Sequence, residues 1–162
     1  MTIACRVNHQ EITVEVQPTR SLADVLRYEL GETGAPMICR QGKCGACVVL
    51  LDKRLVASCI VPAFRAIGSD ILTIDGFRQT QEYSDIQRGF ERVGFTPCSL
   101  CAGSKVLLAH SVLLRNLDPT ADVVRSLLTG SWCSCTGVSR YIEAIGVAGR
   151  ERKRRYNARA RA

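Results

Sequence analysis

Apolar and polar residues alternate over Thr2-Ile3-Ala4-Cys5-Arg6-Val7 and again over Ile12-Thr13-Val14-Glu15-Val16. That period of two predicts two strands around a turn at Asn8-His9-Gln10. The period then lengthens. Leu22, Val25, Leu26 and Leu30 form one helical stripe, with Ser21 as N-cap, Asp24 at N3 and Gly31 as the stop. Val48–Leu51 reads as an apolar strand, Asp52-Lys53 as a turn, and residues 55–59 and 71–74 as further strands. These elements predict an α+β unit ending near Asp75.

Beyond Gly76 the pattern is helical. Ile86, Phe90 and Val93 share one face over residues 83–93, and Val106, Leu107, His110, Leu113, Leu114 and Leu117 do so over 104–117. Asp118-Pro119 reads as a cap and first helical position, leading to Val123, Val124, Leu127 and Leu128 and ending at Gly130. Residues 138–147 form a fourth stretch. The expected organisation is an α+β domain over 1–76, a helical bundle over 77–150 and a basic, mobile tail over 151–162.

The net charge of +7 over 162 residues changes little in this picture. Arg150, Arg152, Lys153, Arg154, Arg155, Arg159 and Arg161 face only Glu151, so nearly all the excess lies in the tail. Without interleaved aromatics beyond Tyr156, that run reads as a solvated end or a contact with an acidic subunit. Nucleic acid is not the expected partner. No apolar run approaches the roughly 18 residues of a membrane span, and the N-terminus alternates where a signal peptide would be uniformly apolar. A cytoplasmic protein is expected.

The nine cysteines change the picture more. An odd count without a secretory signal argues against a disulfide framework. Cys5 sits in a strand pattern and reads as a small buried hydrophobe. The other eight are clustered. Cys39, Cys44, Cys47 and Cys59 follow C-x4-C-x2-C-x11-C, which opens with the plant-type ferredoxin spacing for a 2Fe-2S cluster. Gly42, Gly45 and Ala46 keep the backbone thin, so amides can approach sulfur. Cys98 and Cys101 begin one helix and Cys133 and Cys135 precede another, so two pairs can converge if those helices pack side by side. Helix N-termini favour the negative charge of such a group. Two structural zinc sites are the competing reading of the same thiols.

The order C-x4-C-x2-C-x11-C, then C-x2-C, then C-x-C-T-G resembles the small iron-sulfur subunit of the molybdenum hydroxylases, the xanthine dehydrogenase, aldehyde oxidoreductase and carbon monoxide dehydrogenase group. The resemblance runs from about Thr2 to Gly149. It implies a β-grasp, ferredoxin-like domain with one 2Fe-2S cluster on Cys39, Cys44, Cys47 and Cys59. It implies a four-helix-bundle domain with a second on Cys98, Cys101, Cys133 and Cys135. It further implies a large molybdopterin-binding partner carrying molybdenum, a medium FAD-binding partner, and electron relay from molybdenum through the helical-domain cluster and then the N-terminal one. The substrate class implied is an N-heterocycle, purine-like, or an aldehyde, oxidised on the partner chain.

Departures are confined to neighbours of the cysteines. The family's Gln before C-x2-C is Pro97, its Thr-Pro-Gly is Ala102-Gly103-Ser104, and Ser131, Trp132, Ser134 and Val138 replace usual residues around C-x-C. They motivate an alternative, a stand-alone redox-sensing or interaction module that has lost the pterin contact. A zinc-stabilised nucleic-acid binder is a third reading. No catalytic set is visible in the chain itself. Trp132 reads as core packing, Arg40 and Lys43 as solvated, His9 as a turn residue and His110 as a satisfied histidine, none of them ligands.

Overall fold

The computed structural model describes residues 1–128 and 137–161. Strand β1 (Thr2–Val7) pairs antiparallel with β2 (Gln10–Glu15). Asn8 and His9 between them have φ of 49° and 71°, so both central residues of a two-residue turn are left-handed, the form that matches strand twist. That tight turn returns Gln10 and Glu11 to the ladder, earlier than the alternation alone suggested. A second hairpin, β3 (Val48–Leu51) and β4 (Arg54–Ala57), closes in the same way on Asp52 and Lys53, at 49° and 66°. Strand β5 (Asp70–Leu72) runs parallel to β1 and antiparallel to β3, giving the order β2-β1-β5-β3-β4.

Helix α1 (Leu22–Asp24) starts from a reciprocal capping box. Asp24 N–H donates to Ser21 Oγ at 3.2 Å, and Ser21 N–H donates back to the Asp24 carboxylate at 3.3 Å. It widens at once into a π-helical turn over Val25–Glu29. Leu22, Val25 and Leu26 are buried against Ile3, Val7, Val49 and Ile71 of the sheet. Cys5 is in the same core, and burial raises its thiol pKa.

Strand β5 stops at Leu72, two residues earlier than expected, in a part-buried polar knot. Thr73 N–H donates to Asn8 Oδ1 at 2.9 Å, and Asn8 Nδ2 donates to Glu32 at 2.9 Å. Thr73 also caps α2 (Ile74–Phe77), taking the Asp75 N–H on its hydroxyl. Helices α3 (Gln81–Val93), α4 (Ala102–Arg115), α5 (Ala121–Leu127) and α6 (Val138–Arg159) follow. The cap of α5 is Thr120, whose hydroxyl accepts from Val123, and not Asp118. Gly130 lies outside the described residues.

The helices share a core of Phe77, Ile86, Phe90, Val106, Leu113 and Tyr141, among others, and that core reaches Leu50 on β3. Val49 faces the α1 core while Leu50 faces the helices. Strand β3 is thus covered on both faces, which accounts for its unbroken Val-Val-Leu-Leu sequence.

The basic segment corrects the expectation of a mobile tail. Helix α6 continues through it to Arg159. Arg152 is 1% exposed, with Nε 3.5 Å from the equally buried Asp85 carboxylate. Arg155 donates to Asp85 at 2.8 Å and to Glu82 at 2.9 Å. Acids on α3, some 70 positions earlier, therefore dock a segment that looks solvated when read locally. Gly89 lets α3 and α6 approach. A Cβ there would lie 2.5 Å from the Ala144 carbonyl oxygen and 2.8 Å from Ala148 Cβ.

Candidate metal centres

Cys39, Cys44 and Cys47 lie on the loop between the π-helical turn and β3, and Cys59 lies in the 3-10 turn Ser58–Ile60 after β4. The eleven intervening residues have a simple meaning. They are one four-residue strand, a two-residue turn, a second four-residue strand and Ser58. The hairpin therefore returns Cys59 to Cys47, and Ser58 fastens the join through N–H and Oγ bonds to the Cys47 carbonyl at 3.2 and 2.6 Å.

Backbone amides converge on the sulfurs. Gln41 and Cys44 each donate to Cys39 Sγ at 3.4 Å, and Gly42 donates to Cys59 Sγ at 3.3 Å. The loop reaches this shape through positive φ at Arg40, Gly42 and Gly45. Gly42 is required twice over, because a Cβ there would also meet Ile60 Cδ1 at 2.9 Å. The amides of Gln41 and Cys44 bring the Cys39 thiol down to about 6, while burial and then the neighbouring Cys47 push Cys59 up to about 11. The amides favour charge on one sulfur; burial and crowded thiols oppose it on another. A bound polycation would relieve that crowding, so the donor set fits an iron-sulfur group. Among the described residues no three or more His, Cys, Asp or Glu side chains form a cage for a single ion.

At the second location, Cys98 and Cys101 span one turn, with Sγ atoms 3.2 Å apart. Cys101 is the N-cap of α4, and its N–H and that of Ala102 donate to the Cys98 carbonyl at 3.0 and 2.9 Å. Pro97 lies in the irregular run before this turn, upstream of α4. Cys133 and Cys135, with Ser131, Trp132 and Ser134, lie outside the described residues. Gly137, the N-cap of α6, comes two positions after Cys135 in the sequence. The starts of α4 and α6 are tied together, since Tyr141 Oη donates to the Lys105 carbonyl at 2.6 Å. A cavity of about 160 Å³ lined by Gly45, Val48, Ala57, Ser104 and Leu108 lies where the first thiol loop abuts α4.

One polar residue, Lys105, has no counterpart among the expectations, and another, His110, departs from its expectation. Lys105 is 4% exposed on α4, and its signal was a Lys one turn after Cys101 in an otherwise apolar face. His110 is buried against the Phe77 ring with Nδ1 lacking a hydrogen-bond partner among the described residues, so it is not a satisfied histidine. Arg40 is exposed, as expected, and donates to Tyr28 Oη at 2.9 Å on the surface.

Two successive domain models match this geometry: a 2Fe-2S iron-sulfur cluster binding domain over residues 5–67 and a [2Fe-2S] binding domain over 73–146. The nicotinate dehydrogenase small FeS subunit of Eubacterium barkeri is 30% identical over 148 residues, covering 91% of this chain and 94% of its own. Quinoline 2-oxidoreductase from Pseudomonas putida 86 contains a chain that superposes with a TM-score of 0.84 at 35% identity, covering 94% of this chain and 96% of that one. The aldehyde oxidoreductase of Desulfovibrio gigas superposes at 0.85 and 30% identity, with 96% of this chain matching 17% of that much longer one. The protein is thus an iron-sulfur protein with two 2Fe-2S domains. Within that class, the chain belongs to the family of small iron-sulfur subunits of the molybdenum hydroxylases. No helix among the described residues is long and apolar enough to cross a membrane.

Proposed function

We propose that this chain is the electron-relaying subunit of a molybdenum-dependent oxidoreductase complex. In this reading Cys39, Cys44, Cys47 and Cys59 hold one 2Fe-2S cluster, and Cys98, Cys101, Cys133 and Cys135 hold the other. The observation that carries it is the first thiol loop, where a hairpin and three amide donors gather sulfurs from two segments. Such a cluster supplies one-electron chemistry when bound. The chain's own contribution is to hold thiolates in a rigid loop, direct amides at the sulfurs and shield both centres inside packed domains. The division into residues 1–76 and 77–150 is part of the proposal, supported by the change from strands to helices at α2.

The family and the names of its relatives support a large molybdopterin-binding catalytic partner, an FAD-binding partner as acceptor, and an N-heterocycle or aldehyde as substrate on the large chain. The test is co-expression with neighbouring reading frames, followed by metal analysis. Four irons and four sulfides per chain, two distinct reduced paramagnetic signals and a molybdenum-bearing co-purifying chain are expected. Zinc at full occupancy, or a stable lone protein that never recruits molybdenum, would overturn the reading.

A further inference from the structure

The five-stranded sheet ends at β4, and one side of that strand has no partner strand. The two-residue turn at Asp52-Lys53 makes Leu51 and Arg54 a hydrogen-bonded pair. By alternation, Leu55 and Ala57 turn their N–H and C=O groups away from β3. Among the described residues these groups have no other backbone partner. Beside this edge runs a groove of about 640 Å³ between β4 and helices α4 and α5. Leu55, Leu108 and Leu127 supply its apolar lining, and Leu114, which also lines it, is 55% exposed. The groove shares Leu55, Val56, Leu108 and Leu127 with the 160 Å³ cavity that reaches Gly45 on the first thiol loop.

Its charge is of one sign. Lys53, Arg54 and Arg115 line it and no acidic side chain does, among the described residues. None of the three cations is in an ion pair there. Lys53 and Arg54 stand at the turn end of the strand. Leu55, Val56 and Ala57 therefore carry no charge of the kind that protects a sheet edge from an added strand.

We propose that this groove docks an extended, acidic segment of a partner chain. The segment adds to β4 as a further strand, bonding the outward groups of Leu55 and Ala57. It lays apolar side chains against Leu55 and Leu108 and places carboxylates beside Arg54 and Arg115. Backbone bonds supply affinity in such an arrangement, while the apolar lining and the cations select the sequence. This rests on the reading of the chain as one subunit of a complex.

The test is hydrogen exchange on the iron-loaded, full-length chain, alone and in the complex co-purified with chains from neighbouring reading frames. Peptides covering Arg54–Ala57 should exchange roughly tenfold more slowly in the complex. Arg54→Glu combined with Arg115→Glu should raise the dissociation constant of the complex roughly tenfold at low salt, and the gap should shrink near about 1 M salt. Arg54→Lys combined with Arg115→Lys should assemble as the unaltered chain does. Both side chains are exposed; should a variant nevertheless lose iron, the exchange comparison on the unaltered chain decides alone. Equal exchange of β4 in the free and assembled chain overturns the inference, as does a charge-reversed variant that assembles normally. Slowed exchange in the free chain that grows with its own concentration makes the occupant a second copy and overturns it too. A chain that assembles with no partner overturns the complex reading and this inference together, whereas a stable complex with β4 unprotected overturns this inference alone.

Discussion

The two candidate centres are assembled by different physics. The first draws its sulfurs from residues 39–59, and a hairpin of two four-residue strands does most of the work, because ladder bonds between β3 and β4 fix where Cys59 returns. In the proposed second centre the sulfurs come from residues 98–135, and among the described residues the start of α4 meets the start of α6 through the Tyr141–Lys105 hydrogen bond. That join depends on α4 against α6 and, behind it, on α3 clamped to α6 by Asp85, Arg152 and Arg155. A site built on backbone pairing should tolerate core defects elsewhere; a site built on helix packing should inherit them.

The strongest way to break this contrast is Asp85→Ala. It leaves Arg152 buried without its carboxylate, and losing one partner of a buried pair costs about 3–5 kcal/mol. Denaturant titration should register that loss, and two of the four irons, those of the helical domain, should dissociate first. Retention of both clusters with unchanged stability would refute the packing account.

Acid should act on the same half. Burial, and then Arg152, hold the His110 imidazole down to about 4 against its ordinary 6.5. Between those values the unfolded chain binds the proton more readily than the folded one. Stability is therefore full above about pH 6.5, declines as the pH falls toward 4, and levels off below, a loss of about 3 kcal/mol. His110→Leu should flatten this slope in apo-protein denaturation curves and be no less stable at neutral pH, since Nδ1 has no described partner to lose.

Gly89→Ala comes next. Its new methyl would meet the Ala144 backbone, so α3 and α6 must separate, at about 1–3 kcal/mol by overpacking. The midpoint of helical-domain unfolding should fall while the absorbance of the N-terminal cluster persists. The smallest effect is expected from Ser21→Ala. It removes the capping box of α1 at about 1 kcal/mol and should weaken the N-terminal half alone. A shift of both halves by equal amounts would mean the two cores unfold as one unit.

The sequence was most legible where cause and effect are close in the chain. The Ser21–Asp24 capping box, the Asp52-Lys53 turn and the burial of Cys5 were all readable from a few neighbouring residues. The x11 spacing proved to be a hairpin, and the thiol loop followed from it. Legibility failed where the partner is distant. Residues 151–159 read as a solvated run because Glu82 and Asp85 are on another helix. Thr73 read as strand because its capping of α2 is joined to Asn8, 65 positions away. Asp118 looked the better cap, yet Thr120 is the one whose hydroxyl meets an N–H. For the second centre, the Cys98–Cys101 turn follows the expectation, while Cys133 and Cys135 lie outside the described residues.

Val49 and Leu50 are adjacent on one strand yet belong to opposite cores. Cutting the polypeptide near residue 76 would therefore strip the oily cover from one side of the ferredoxin-like half. An isolated amino-terminal fragment would have to recruit a substitute coat or clump with its own kind. For this chain, borrowing the front half as a small portable redox module calls for repainting that exposed side with polar residues first.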